Sequence, residues 1–271
     1  MDKERLTKKL VFPLYEEKYI QTLWNTPWKD KQEKGWILKS GIWVPWFFNM
    51  RPVGNSPELF REICGAMAEM IGKEDINLII GVEMAGVPLV GGIAISSYVN
   101  GKEMRFGYTR ALPLKARVPL DALRMLNEID SGVANFDYGQ KEFVEGRMVD
   151  GDSVAIVDDM ATDLGSKIIA RLIVLREAQW RGVKVACNKI FYFLNRGAGN
   201  RLKGLQFAEV QEMGLIPERL DVDYIVEFDE CLPQLKKIMQ PIEFEVISEF
   251  QKNPKRYQDE AERNKVLALV K

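Results

Sequence analysis

Apolar positions recur along this chain with two different periods, and the two alternate. From Ser56, the text SPELFREICGAMAEMIG places Leu59, Ile63, Met67, Met70 and Ile71 on one face of a helix. Ser56 stands at the N-cap, Pro57 at the first helical position and Glu58 in the first turn. INLIIGVE (76–83) follows as a short continuous apolar run, the pattern of a parallel strand buried on both faces. MRFGYTR (104–110) reads as a weaker strand, and SVAIVDD (153–159) as a strong one after the turn Asp150-Gly151-Asp152. GSKIIARLIVLREAQW (165–180) is a helix striped by Ile168, Ile169, Leu172 and Leu175, with Ala178 or Gln179 beside them. VKVACNKIFYFLN (183–195) and VDYIVEF (222–228) supply two more strands. This order predicts an α/β fold with a central, mostly parallel sheet flanked by helices.

Composition narrows the chemistry. At 271 residues the chain can form one large domain, or one domain with extensions. A net charge of -1 argues against nucleic-acid binding by general electrostatics. There is no histidine, which excludes Ser-His-Asp triads, histidine-zinc sites and imidazole general bases. Cys64, Cys187 and Cys231 show no metal-binding spacing and read as the reduced thiols of a cytoplasmic protein. MDKERLTKKL leads into no signal-peptide core. The apolar stretch 78–95 carries Glu83, Pro88 and four glycines, so it reads as strand, tight loop and helix and not as a bilayer span. A soluble protein with no membrane or nucleic-acid partner is expected.

The chemistry concentrates in VAIVDDMATDLGSK (154–167), where an apolar strand ends in two acids, passes a short loop and enters a helix. In open α/β sheets ligands collect at the carboxyl ends of strands. Side chains alternate along a strand, so Asp158 and Asp159 are predicted to point to opposite sides. One could face ribose hydroxyls while the other faces a hydrated Mg²⁺ or packs structurally. The amides of 161–166 and the positive end of the helix could hold a phosphate. Two adjacent acids after a strand are also a common turn.

VAIVDDMATDLGSK resembles the phosphoribosyl-pyrophosphate signature of type I phosphoribosyltransferases. WILKSGIWVPWFFNMR (36–51) looks like the amino-terminal hood of orotate phosphoribosyltransferases, and LIIGVEMAGVPLVGGIA (78–94) like their first core strand and loop. DYGQKEFVEGRMVDGD (137–152) is similar to the hairpin before the acidic strand, and FLNRGAGNRL (193–202) to the strand that ends beside the base. The resemblance implies Mg²⁺ as cofactor, phosphoribosyl pyrophosphate and a small base as ligands, and a homodimer. It implies that Lys39 contacts pyrophosphate, that Phe47 and Phe48 lie beside the base, and that Arg196 pairs with an acidic base. Asp158 and Asp159 become the ribose- and metal-facing catalytic acids, and Ala161, Thr162, Asp163, Leu164, Gly165 and Ser166 the 5′-phosphate loop. Arg110 and Lys115 become the cations at the leaving group. The domains implied are an extension (1–35), a phosphoribosyltransferase-like domain (36–235) with an insertion (111–136), and a helical tail (236–271).

Three features depart from the family's pattern. Asp163 puts a carboxylate where a phosphate should sit; at about 4 Å and an effective dielectric of about 20, like charges repel by about 4 kcal/mol. Leu164 adds a Cβ where glycine lets amides approach. Thr109-Arg110-Ala111 keeps only the arginine of an Arg-Lys pair, and Phe136 and Tyr138 stand where the family has a lysine and a histidine. In the insertion, Lys115, Arg117 and Arg124 could replace the lost cations, or LDALRMLNEI could be a helix that seals or dimerises the protein. Val44 replaces a serine, a mild change. Three readings stay open: an orotate transferase, a binding protein without turnover, and a transferase for another acceptor.

Overall fold

A computed structural model describes residues 3–38, 41–112, 116, 118–132, 142–197 and 220–270, with side chains from Lys9 onward. Its centre is a six-stranded sheet in the order β10-β9-β8-β5-β6-β7. These strands are β5 (Leu78–Gly81), β6 (Arg105–Thr109), β7 (Val144–Glu145), β8 (Asp152–Ala161), β9 (Val185–Asn195) and β10 (Asp221–Glu227). All neighbours run parallel except β6 and β7. The mostly parallel sheet predicted from the alternating pattern is the one found.

Of the connecting helices, the first follows its predicted stripe, whereas in 165–180 Ile168, Leu172 and Ala178 are buried, Ile169 and Leu175 are half-buried, and Ile173 and Val174 are buried in addition. Helix α3 (Pro57–Ile71) buries Leu59, Ile63, Met67, Met70 and Ile71, the five positions on its predicted face. The Ser56 hydroxyl does not cap it; it lies 2.7 Å from the Tyr19 hydroxyl instead. Helix α4 (Gly86–Val99) leads from β5 towards β6, and α6 (Gly165–Trp180) from β8 to β9. Helix α5 (Pro119–Asp130) lies inside the predicted insertion; it buries Ala122, Met125 and Leu126 and packs on α6, so this segment covers the sheet.

Alternation along the strands splits the core in two. Val154, Ile156, Ile190 and Tyr192 face α5 and α6. Ala155, Val157, Phe191 and Phe193 face the other side, in one cluster with α3 and α4. That second side also carries a small cap of two antiparallel pairs, β1 (Ile20–Thr22) with β4 (Trp46–Phe48), and β2 (Trp36–Ile37) with β3 (Trp43–Val44). Helix α2 (Lys29–Lys34) precedes β2.

Both ends of the chain complete this cap. Leu10, Val11 and Leu14 of α1 (Lys3–Glu16) share a cluster with Cys231 and Leu232 of α7 (Phe228–Leu235) and with Val246, Ile247 and Phe250 of α8 (Pro241–Lys252). Polar contacts reinforce the packing: buried Glu243 accepts from the Tyr15 and Thr22 hydroxyls, and Gln258 bonds both the N–H and the carbonyl of Trp43. The last helix, α9 (Glu260–Leu267), is capped by Asp259, whose carboxylate accepts from the Ala261 and Glu262 amides. Cys64, Cys187 and Cys231 are buried free thiols. Among the described residues no helix is long and apolar enough to cross a membrane.

Candidate active site

The carboxyl ends of β5, β6, β8 and β9 line one edge of the sheet, and the candidate residues gather there. Strand β8 extends two residues beyond its acids, so Ala161, expected in the loop, is its last residue and accepts the Arg196 N–H across to the end of β9. Asp158 shares the face of Ile156 and pairs with Lys167 of α6, and the Asp159 carboxyl lies within hydrogen-bond reach of the Asp158 side chain instead of pointing to the opposite side.

Asp158 is committed to protein partners. Its Oδ2 lies 2.7 Å from the Lys167 ammonium, with the two side chains 9% and 4% exposed. Its Oδ1 accepts the Asp159 N–H at 2.9 Å. Lys167 also donates to the Met160 carbonyl and lies 3.3 Å from Ser166 Oγ. Asp159 has no ion pair among the described residues. Burial, and then the neighbouring Asp158 charge, push its pKa up, opposed by Lys167. The donor set therefore offers one carboxyl without a cation of its own, hydrogen-bonded to Asp158 and to the Met160 N–H. Among the described residues no three acids or thiols gather to hold a metal by themselves. Such a set fits a hydrated Mg²⁺ that arrives on a ligand's own oxygens, with Asp159 facing its waters.

The loop 162–166 enters α6 as predicted, at Gly165. Asp163 does not turn away from the helix end: its Oδ1 accepts the Gly165 N–H at 2.9 Å. Leu164 is buried and packs into the α6-side cluster. Thr162 and Ser166 stay partly exposed.

The base-side residues sit on the cap. Phe48 is buried and stacks on Phe193 at 6.1 Å, while half-buried Phe47 stacks on Trp36 at 6.2 Å. Of the two, Phe47 has surface to offer a ligand. Arg196 is fully buried, its guanidinium 4.2 Å from the Trp46 ring, which itself stacks on Phe228 at 3.8 Å. It donates to the Trp46 carbonyl, but its Nε and Nη1 have no partner among the described residues. Burial lowers its pKa to about 9; a guanidinium nonetheless keeps its proton at neutral pH. Gln251 of α8 fastens this layer, accepting from Trp46 Nε1 and donating to the Arg196 carbonyl and Asp229.

A cavity of about 350 Å³ opens at the ends of β5 and β6, lined by Glu83, Met84, Val87, Tyr108, Thr109, Arg110 and Ala111. Arg110 carries a 2.7 Å ion pair to Glu145. Two glycines shape the wall. A Cβ on Gly81 would lie 2.6 Å from the Gly86 carbonyl oxygen, and one on Gly86 would lie 2.7 Å from that of Val157. Apart from Arg110, these lining residues were not among the sequence candidates; the glycines bracketing Val82–Ala85 were the available signal. Lys39, Lys115, Arg117, Phe136, Tyr138 and residues 198–202 lie outside the described residues, and Arg124 is exposed on α5.

No protein-family model matches the chain. Its sequence is similar to the orotate phosphoribosyltransferase of Methanocaldococcus jannaschii, 27% identical over 180 residues that cover 66% of this chain and 82% of the relative. It is also similar to that of Pyrobaculum islandicum, 25% identical over 193 residues that cover 70% of this chain and 83% of the relative. The fold matches the structure of Leishmania donovani UMP synthase with a TM-score of 0.60 at 18% identity, over 93% of this chain but only 42% of that one. It matches the orotate phosphoribosyltransferase of Aeropyrum pernix with a TM-score of 0.52 at 17% identity, over 83% and 96% of the two chains. The fold is that of the type I phosphoribosyltransferases, and the sequence is similar to the orotate enzymes.

Proposed function

We propose that this chain, a phosphoribosyltransferase-like protein by fold and sequence, transfers the phosphoribosyl group of phosphoribosyl pyrophosphate to orotate or a related base. The observation that carries this reading is the acid pair at the tip of β8, beside the N-terminal end of α6. Curated relatives named orotate phosphoribosyltransferase, matched over 66% and 70% of the chain, support it. In the reaction the bond from the anomeric carbon to the pyrophosphate oxygen breaks, pyrophosphate leaves with the electron pair, and a ring nitrogen bonds to that carbon. Asp159 takes the ribose hydroxyls and the hydrated metal. Arg110 faces pyrophosphate in the cavity, and the resemblance adds Lys39 and Lys115, outside the described residues, as further cations for it. Phe47 lies along the base, and Arg196, fully buried against the Trp46 ring, supports that wall from behind. Mg²⁺ on the pyrophosphate would neutralise charge on the leaving group.

The test is direct. Purified chain with orotate, phosphoribosyl pyrophosphate and Mg²⁺ is expected to consume orotate, seen as loss of its absorbance, and Asp159→Asn to abolish the loss. No consumption by the unmodified chain refutes the transferase reading.

A second reading, binding without turnover, draws on the Asp163 carboxylate, which already holds the Gly165 N–H. Calorimetry showing ligand binding while orotate absorbance stays constant would favour it.

We assign the homodimer to the outer face of α4, where Ile95, Tyr98 and Val99 are exposed beside Phe106 and Met84. Exposed apolar side chains on one helix suit a second copy of the chain. Light scattering is expected to give twice the chain mass, and Tyr98→Glu to halve it. The three free thiols agree with a reducing, cytoplasmic setting.

A further inference from the structure

Of the residues lining the cavity at the ends of β5 and β6, Arg110 alone is cationic, and it is already paired. Its Nη1 donates to Glu145 Oε1 at 2.7 Å. The two side chains are 34% and 36% exposed, and ion pairs this open to water are weak. A pyrophosphate-type anion brings several charges to the same guanidinium and outbids a single carboxylate for it.

The strand that carries Glu145 is held from both sides. On one side it pairs with β6, Glu145 opposite Tyr108. Gly107 and Gly146 let these two backbones touch: a Cβ on Gly146 would lie 2.9 Å from the Gly107 Cα. On the other side Arg181 of α6 donates to the Val144 and Gly146 carbonyls at 2.7 and 2.6 Å. Buried Glu177 of the same helix accepts the Phe143 N–H at 2.9 Å, and the Phe143 carbonyl accepts the Arg110 N–H at 2.8 Å. The backbones on both sides of the ion pair are therefore fixed, while the Arg110 side chain, long and a third exposed, can turn between Glu145 and a ligand in the cavity.

We propose that Glu145 is an internal counter-anion that competes with a pyrophosphate-type ligand for the Arg110 guanidinium, keeping that anion's binding weak enough for release. This rests on the phosphoribosyl reading above. Glu145 is a positioning residue: it acts through Arg110 and does not touch the ligand. As the anion departs, the guanidinium returns to Glu145, so release leaves no bare cation behind.

Calorimetry of the full chain with sodium pyrophosphate, at one fixed Mg²⁺ concentration, tests it. Glu145→Gln keeps the shape of the side chain and removes its charge. It is expected to tighten pyrophosphate binding about three- to fivefold, the effect of losing an exposed ion pair. In an Arg110→Gln background the same change is expected to alter affinity by less than about twofold, because the competitor then has nothing to hold. A residue that merely kept β7 in place would weaken binding when changed, and would do so in both backgrounds. Binding detected only after Glu145→Gln also supports the proposal. Unchanged or weaker binding by Glu145→Gln, or an equal gain without Arg110, overturns it and leaves the phosphoribosyl reading standing. No binding by either the unmodified chain or Glu145→Gln removes the assignment of this cavity to pyrophosphate and the inference together.

Discussion

Two neighbouring aspartates at the tip of β8 differ because their surroundings differ. Asp158 is paired with Lys167 of α6; Asp159 has no cation of its own, and burial beside the Asp158 charge raises its pKa. Removing one partner of a buried pair leaves an uncompensated charge, which costs about 3–5 kcal/mol. Asp158→Asn alone is therefore expected to lose stability of that order in urea denaturation, and Asp158→Asn with Lys167→Met to recover much of it. Arg196 presents the opposite case, a buried cation with two N–H-bearing nitrogens lacking described partners. Arg196→Met is expected to raise stability by about 1 kcal/mol or more, as apolar replacement of buried charge often does, while binding of the base weakens. Thermal denaturation and calorimetry would read the two effects separately. Residue types were legible from the sequence here, but partners were not. The sequence marked Asp158, Asp159 and Arg196, yet Lys167 looked like any helix residue. Its pairing depends on where the first turn of α6 swings back over β8.

Among the elements, the strand–loop–helix unit β8–α6 was the most legible. Its helix runs over the residues its apolar stripe predicted, Gly165 to Trp180. The strand was read short at its end because Asp is a poor strand former, but pairing of Met160 and Ala161 with Leu194 and Asn195 carries β8 onward. The loop then behaves as a small self-bonded turn, Asp163 accepting from Gly165 two residues on. Asp163→Thr removes the carboxylate from that amide. It is expected to tighten binding of inorganic phosphate about tenfold by calorimetry, at a stability cost of about 1 kcal/mol for the lost capping contact. The cavity between β5 and β6 was not legible, because its walls are backbone turns and ordinary side chains that only the parallel pairing of the two strands brings together.

For the molecule as a whole, the C-terminal helices are part of the site's support. Gln251 bonds Trp46, Arg196 and Asp229. Net hydrogen-bond contributions of about 0.5–1.5 kcal/mol each give an expected loss of about 2–3 kcal/mol for Gln251→Leu, measurable in urea, together with weaker binding of an acidic base. A chain ended at residue 240 would strip Val246, Ile247 and Phe250 from the cluster that holds Leu10 and Leu14. It is expected to give no cooperative unfolding transition by circular dichroism. The sequence marked these helices and their prolines without revealing what they cover, since an amphipathic face does not name its partner.

The meeting of α1 with α7 and α8 also sets an order of events during synthesis. Helix α1 is made long before α8, so Leu10, Val11 and Leu14 stay bare until their apolar partners on α8 emerge. The sheet and its acidic tip can assemble before then, but the cap cannot. Until then the newborn protein displays a sticky end of the kind that holdase chaperones shield.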